Sequence, residues 1–296
     1  MSTTATHRNT SGKQKEPVIS GRNPRRNKTN TQLILYIILS VAVVVWILPL
    51  IWLMSSSFKP MGILTAIPPV IKFWPTLEHY IYVFNKFPLW TYFQNSLTIA
   101  LITTFLAILI GFLAAYGIVR FRAGGTAFPL AIMTTRLIPS MALAIPLYTI
   151  FRQLGLVDTI MGMVIAHTTF ALPLSIWLMI GFLQDFSLGF EEAALIDGCN
   201  RMQFIWRILI PLIRPGLAVA ALFTFIFSWN EMFLALTLTT IKVKTLPIGI
   251  TDFVTSYAVL WGPMTAATTL TTLPPIIFGL LMQKHLVKGL TLGGIK

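Results

Sequence analysis

Acidic side chains are scarce: nine Asp and Glu stand in 296 residues, and charged residues of both signs make up 10% of the chain. Ordinary soluble domains carry about 25% charged residues, so a soluble enzyme of this size could not cover its surface with so few. A hydrophobic fraction of 55% equally excludes an intrinsically disordered chain. The single cysteine, Cys199, rules out an intrachain disulfide framework. Four histidines (His7, His79, His167, His285) are scattered, none at metal-ligand spacing from a Cys or carboxylate. The phosphate-binding string G-x-x-x-x-G-K-[ST], the H-E-x-x-H and G-x-S-x-G motifs and the filter string T-V-G-Y-G are all missing. These gaps predict a chain that catalyses nothing by itself and holds neither metal nor cofactor.

What is present is long apolar sequence, with a mean hydropathy of +0.78. A bilayer core of about 30 Å takes about 20 apolar helical residues to cross. Four charge-free runs exceed that length: 30 residues between Lys28 and Lys59, 33 between Lys86 and Arg120, 26 between Asp158 and Asp185, and 31 between Asp252 and Lys284. Two more apolar runs each carry isolated charge, Phe128–Phe151 with Arg136 and Leu212–Leu238 with Arg214 and Glu231. The sequence therefore predicts an all-α integral membrane protein with six spans, at about 33–54, 92–119, 128–151, 161–183, 212–238 and 263–284.

Lys and Arg set the orientation. With the N-terminus inside, 15 of them fall on the inner side and six outside (Lys59, Lys72, Lys86, Arg152, Lys242, Lys244). Both termini are predicted to be cytoplasmic, and the +13 net charge reads as positive-inside bias rather than nucleic-acid binding. Residues 1–30 are basic, polar and without apolar periodicity, which predicts a disordered arm lying on anionic membrane lipid. The first span is too long for a signal-peptide core and no clear cleavage site follows it. Outside, residues 55–91 and 239–262 are long enough for lids or docking surfaces; inside, 184–211 is the one long connection.

Three of the nine acids fall in that inner loop, in FEEAALIDGCNRMQFIWRILIPLIRP. Glu191 and Glu192 suit the positive end of a short helix over Phe190–Asp197. Gly198 is placed to end it in the left-handed conformation. Phe190, Ala194 and Asp197 fall on one face with Ala193 beside them, and two alanines leave room for another protein's backbone. Asn200 can cap a second helix with an apolar stripe of Phe204, Ile205, Ile208 and Leu209, and Pro211 and Pro215 mark entry to the fifth span. The pattern is an elbow, a docking helix tied to a membrane span.

The spacing of Glu192-Ala193-Ala194, Asp197-Gly198, Pro211 and Pro215 resembles the EAA loop of ABC importer permeases. ILPLIWLMSSSFKP, FQNSLTIA, RLIPSMALAIPLY, FSWNEMFLAL and QKHLVKGLTLGGIK extend the resemblance to the maltose-type carbohydrate permeases. Ser187 and Gly189 depart from the usual Pro and acidic residue, and Cys199 from the usual Ala. The resemblance implies a type I importer permease fold over residues 31–296, with an EAA coupling helix in a loop at 190–215. It also implies a bacterial inner-membrane location and half of an ATP-driven pathway for a sugar or oligosaccharide. Its partners would be a second, non-identical permease subunit, a cytoplasmic ABC ATPase dimer that binds the ATP, and an extracytoplasmic solute-binding protein. Coupling to the ATPase would fall to Glu191, Glu192, Ala193, Ala194, Asp197 and Gly198.

Charges inside the spans are functional candidates. Arg136 either snorkels to inner headgroups, binds carbonyls freed near Pro139, or lines a pathway or gate. Asn230 and Glu231 are either an outer-interface anchor or part of the solute path. Arg136 and Glu231 differ in depth by roughly 16 Å at 1.5 Å per residue and are not expected to pair. Pro139, Pro146 and Pro173 predict kinks. The rival readings are a permease for a non-sugar solute and an ion-coupled secondary transporter. The latter calls for acids midway through the membrane.

Overall fold

The computed structural model describes residues 24–186 and 188–292. Among these residues the structure is helical, apart from one isolated bridge between Val254 and Val259. The chain divides into two units, Met1–Ile51 and Trp52–Lys296. The first unit's described part lies wholly in helix α1 (Pro24–Ser57), whose last turns belong to the second. A proline at the first helical position leaves no hydrogen bond unmade. The helix thus takes in residues 24–30, which the sequence assigned to the arm; the rest of that arm, residues 1–23, lies outside the described residues.

In the second unit, α2 (Met61–Leu64) and α3 (Glu78–Lys86) lead to the long helix α4 (Leu89–Phe121). The next span is interrupted: α5 (Phe128–Thr134) and α6 (Ala144–Gln153) are separated by two 3₁₀ turns. Helix α7 (Ile160–Gln184) follows, then α8 (Leu188–Ile196) and α9 (Arg201–Phe204) of the inner loop. The chain returns through α10 (Ile210–Leu212) and α11 (Arg214–Asn230), and closes with α12 (Phe233–Leu238), α13 (Leu246–Thr251) and α14 (Trp261–Leu292).

Among the described residues, five helical stretches are long and apolar enough to cross a bilayer: Gln32–Ser57, Leu89–Phe121, Ile160–Gln184, Arg201–Asn230 and Trp261–Lys284. A sixth is the pair Phe128–Leu137 and Ser140–Gln153, bent by 85°. The kink expected in the span over 128–151 is therefore a full break near Pro139. Ile138 is extended, the conformation favoured before proline, and Pro139 removes a backbone donor where the ladder would continue. Pro146, by contrast, stands in the first turn of α6 and is tolerated there. Pro173 lies inside an unbroken α7. The fifth span also differs from the expected 212–238: its helix runs back to Arg201 and breaks outward at Glu231. A π-turn at Ile205–Leu209 precedes Pro211, and the wider turn relieves the clash of the proline ring with the preceding carbonyls.

Helices α4, α7 and α11 form the central bundle, with α14 against α11. Helices α4 and α7 pack closely at Gly111, where an added Cβ would sit 2.5 Å from Ser175 Oγ. Ser175 donates to the carbonyl of Ala107 at 2.8 Å. At the inner end, Tyr116, Met179, Leu183, Ala194, Phe204 and Leu209 form one apolar cluster, so the inner loop shares a core with the spans. At the end of the bundle away from α8, Asp158 clasps the loop that follows α12. It takes φ +57 and accepts from the Thr240 hydroxyl (2.7 Å) and the Lys242 and Val243 amides (3.1 and 3.0 Å).

Candidate functional site: the inner docking helix and the broken third span

Helix α8, the docking helix expected from the sequence, begins two residues earlier than expected and ends at Ile196. Gly198 has φ +85, the left-handed value its position required, and the Cys199 amide donates back to the Ala194 carbonyl at 3.0 Å. Asn200 and Gln203 make a reciprocal capping box at α9, with N–H···O distances of 2.8 and 3.0 Å. A left-handed glycine and a capped helix start thus fix the turn that follows the nine residues of α8.

Its faces are divided differently from the sequence assignment. Glu191 and Ala194 point into the protein, at 7% and 6% exposure. Phe190, Ala193 and Ile196 point out, with Glu192 and Asp197 also exposed. Of the two alanines, only Ala193 is available to a partner; Ala194 packs against the inner core. Of the two adjacent glutamates, Glu191 is the one on the face that carries Ala194 into the protein.

Glu191 turns into a closed polar site. Tyr116 Oη donates to its Oε1 at 2.8 Å, and Arg120 Nε stands 3.2 Å from Oε2. That ion pair is close in distance but not aligned as a linear hydrogen bond, which leaves Arg120 Nε and Glu191 Oε2 without one. Arg120 Nη2 donates instead to the Phe186 carbonyl at 3.1 Å. The guanidinium of Arg201 lies 4.7 Å from the ring centre of Phe121. The last turns of α4 therefore hold α8 and α9 through the side chains of Tyr116, Arg120 and Phe121. Sequence reasoning named neither Tyr116 nor Arg120 as a site residue. The available signal was that a second, inward acid needs a base on a neighbouring inner helix end.

The membrane-depth candidates separate into two places. Arg136 lies in the turn before the break and stacks its guanidinium on Phe227 at 5.3 Å. Pro139 is the break itself. Glu231 ends α11 and accepts from the Leu234 amide at 2.7 Å, acting as a cap for α12. Asn230 Nδ2 donates to the Ile226 carbonyl at 3.0 Å and is exposed. Arg136 and Glu231 thus find separate partners. His167 pairs with Ser228 at 2.8 Å between α7 and α11.

Residues 107–292, which contain the docking helix and the break, match the family described as binding-protein-dependent transport system inner membrane component. The chain belongs to this family. It is accordingly a transporter subunit, a multi-pass α-helical protein of the inner membrane. Among curated relatives, it is 35% identical over 257 residues to the trehalose transport system permease protein SugB of Mycobacterium tuberculosis, covering 84% of this chain and 92% of that one. It is 32% identical over 260 residues to the trehalose/maltose transport system permease protein MalG of Thermococcus litoralis, covering 86% and 92% of the two. The fold is shared with a solved bacterial ABC transporter involved in import of the acidic polysaccharide alginate, at TM-score 0.71 and 23% identity, over 88% of this chain and 98% of that chain.

Proposed function

We propose that this permease forms half of the membrane pathway of an ATP-driven importer for a sugar or oligosaccharide. The observation that carries the reading is the docking helix: an apolar, exposed face of Phe190, Ala193 and Ile196 bordered by Glu192 and Asp197, on a helix fastened from behind to the spans. Such a face suits a cleft in a cytoplasmic ATPase. Gly198 ends the helix sharply beside it. ATP is bound and hydrolysed by that partner, and this chain supplies no reacting group. A second, non-identical permease completes the pathway, and a solute-binding protein delivers cargo to the outer loops. Both termini face the cytoplasm, in keeping with the Lys and Arg distribution. Arg136, Pro139, Asn230 and Glu231 lie along the solute path or its gate. The names of SugB and MalG support a saccharide as cargo.

The test is reconstitution of the complete complex in proteoliposomes. Uptake is measured for neutral and acidic oligosaccharides, headed by trehalose, maltose and alginate oligomers. Uptake of at least one of them must require ATP and the binding protein. Flux that persists without ATP on an ion gradient would overturn the mechanism, and transport of non-sugar solutes alone would overturn the cargo. Copurification of identical permease chains only would refute the non-identical partner.

A further inference from the structure

We propose that the cavity at the break of the third span is a subsite for one pyranose ring of the transported saccharide, contributed by this chain itself. The inference rests on the saccharide-permease reading. It adds that this subunit touches the cargo and names the groups that do so.

The cavity has a volume of about 210 Å³ and is lined by Thr135, Arg136, Ser140, Thr169, Phe170 and Phe227, among others. Thr169 is the tenth residue of α7, roughly 14 Å from its first at 1.5 Å per residue. The cavity therefore lies near the middle of a ~30 Å hydrocarbon core. Irregular backbone at that depth survives only against protein or around a water-filled space. The 85° break thus sits where a polar passage is required.

The lining suits a sugar ring. Arg136 has five N–H donors in a planar fork. Among the described residues it meets the Phe227 ring and no carboxylate at ion-pair distance. An exposed guanidinium in a membrane span with no protein acceptor calls for acceptors from elsewhere. The vicinal hydroxyls of a pyranose match the fork. The Thr135 and Thr169 hydroxyls donate to their own helix carbonyls, Ile132 and Ile165, at 2.7 and 2.8 Å. Their lone pairs remain free to accept from sugar O–H groups. Phe170 and Phe227 offer aromatic faces for the apolar C–H face of the ring. Pockets for drug-sized ligands run to roughly 300–1,000 Å³, so this one holds a single ring, with the remaining units of an oligosaccharide extending toward the partner permease.

The experiment uses the complete complex in proteoliposomes, with its binding protein saturated by whichever of trehalose, maltose or alginate oligomers the wild type carries. Phe227→Ala, Arg136→Gln and Arg136→Lys are compared for uptake rate and for the amount of assembled complex. The expected result is a fall in uptake of at least tenfold in all three variants, with equal amounts of assembled complex in the vesicles. As a second measurement, Thr169→Cys in a Cys199→Ser background should label with a thiol reagent at least fivefold more slowly during turnover with the carried sugar. Wild-type uptake in Phe227→Ala and Arg136→Gln would overturn the proposal, as would labelling indifferent to sugar. Loss of the second permease from Arg136 variants would overturn it too, by assigning the arginine to the subunit interface. Full activity of Arg136→Lys with an acidic oligomer would replace hydroxyl recognition by simple charge pairing. If the wild type carries no saccharide, the saccharide reading itself fails, a result separate from a defect confined to the variants.

Discussion

Removing either partner of the Arg120–Glu191 pair should loosen the helix over Leu188–Ile196 from the end of α4. Arg120 and Glu191 are 4% and 9% exposed, and the pair is 3.2 Å apart. Deleting one partner of a buried pair leaves an uncompensated charge and costs about 3–5 kcal/mol. The poor alignment of Nε with Oε2 places Arg120→Ala near the lower end, about 3 kcal/mol. Glu191→Ala loses the same pair and the Tyr116 bond, and should cost a similar amount. Because each single variant strands the other charge, the double variant Arg120→Ala/Glu191→Ala should cost less than the sum by about 2 kcal/mol, inside the range of coupling energies between contacting residues. The assay is equilibrium unfolding of the purified chain in mixed micelles, followed by tryptophan fluorescence, as a double-mutant cycle. Additive costs, or single costs under about 1 kcal/mol as for exposed pairs, would refute a buried clamp. In the assembled transporter, Glu191→Gln should keep the ATPase bound, because Glu191 faces inward, while the exposed-face variant Ala193→Asp should release it.

Gly111→Ala forces a Cβ against Ser175 Oγ and should destabilise by about 1–3 kcal/mol as overpacking, with Ser175→Gly restoring part of the loss in the same unfolding assay. Asn200→Ala removes the capping box and should cost about 1 kcal/mol, read as faster proteolysis of the inner loop. Gly198→Ala places a side chain at φ +85 and should cost about 1–2 kcal/mol. At the end of the bundle away from α8, burial works to raise the Asp158 carboxyl, but the Thr240 hydroxyl and the Lys242, Thr240 and Val243 amides outweigh it and hold the group well below the ordinary carboxylate range. Its folded pKa is depressed, so its contribution is complete above the unfolded value of about 3.9 and fades as pH falls below it. The stability gap between wild type and Asp158→Asn should be constant from neutral pH down to about pH 5 and shrink below about pH 4; a gap that grew on acidification would contradict the assignment.

The inner loop was legible because its signals are local. Glycine at φ +85, the Asn200 cap with Gln203 three residues on, and prolines at the head of a span act through their own backbone, so spacing alone identifies them. The third span was only partly legible for the opposite reason. Charge counting treats 128–151 as one apolar rod, and the prolines gave no reason to choose between a gentle kink and a break. The two prolines of that span behave differently because Pro139 falls between turns and Pro146 in the first turn of a helix. The fifth span was placed too far along the chain because apolar length was counted from Leu212, whereas the helix already runs from Arg201. Glu231 and Asn230 turned out to be engaged with nearby backbone, at Leu234 and Ile226.

Sequence by itself determined the class of molecule, because the cost of unpaired backbone in hydrocarbon leaves long charge-free runs little choice but membrane helices. It also determined where the docking elbow lies, since caps and left-handed turns are encoded within a few residues. Tertiary structure alone decided which glutamate faces out. Glu191 and Glu192 are neighbours with the same chemistry, and only the arrival of Tyr116 and Arg120 from a helix some 70 residues earlier makes one buried and the other free. It likewise decided that Arg136 meets Phe227, a contact between elements about 90 residues apart that local pattern does not encode.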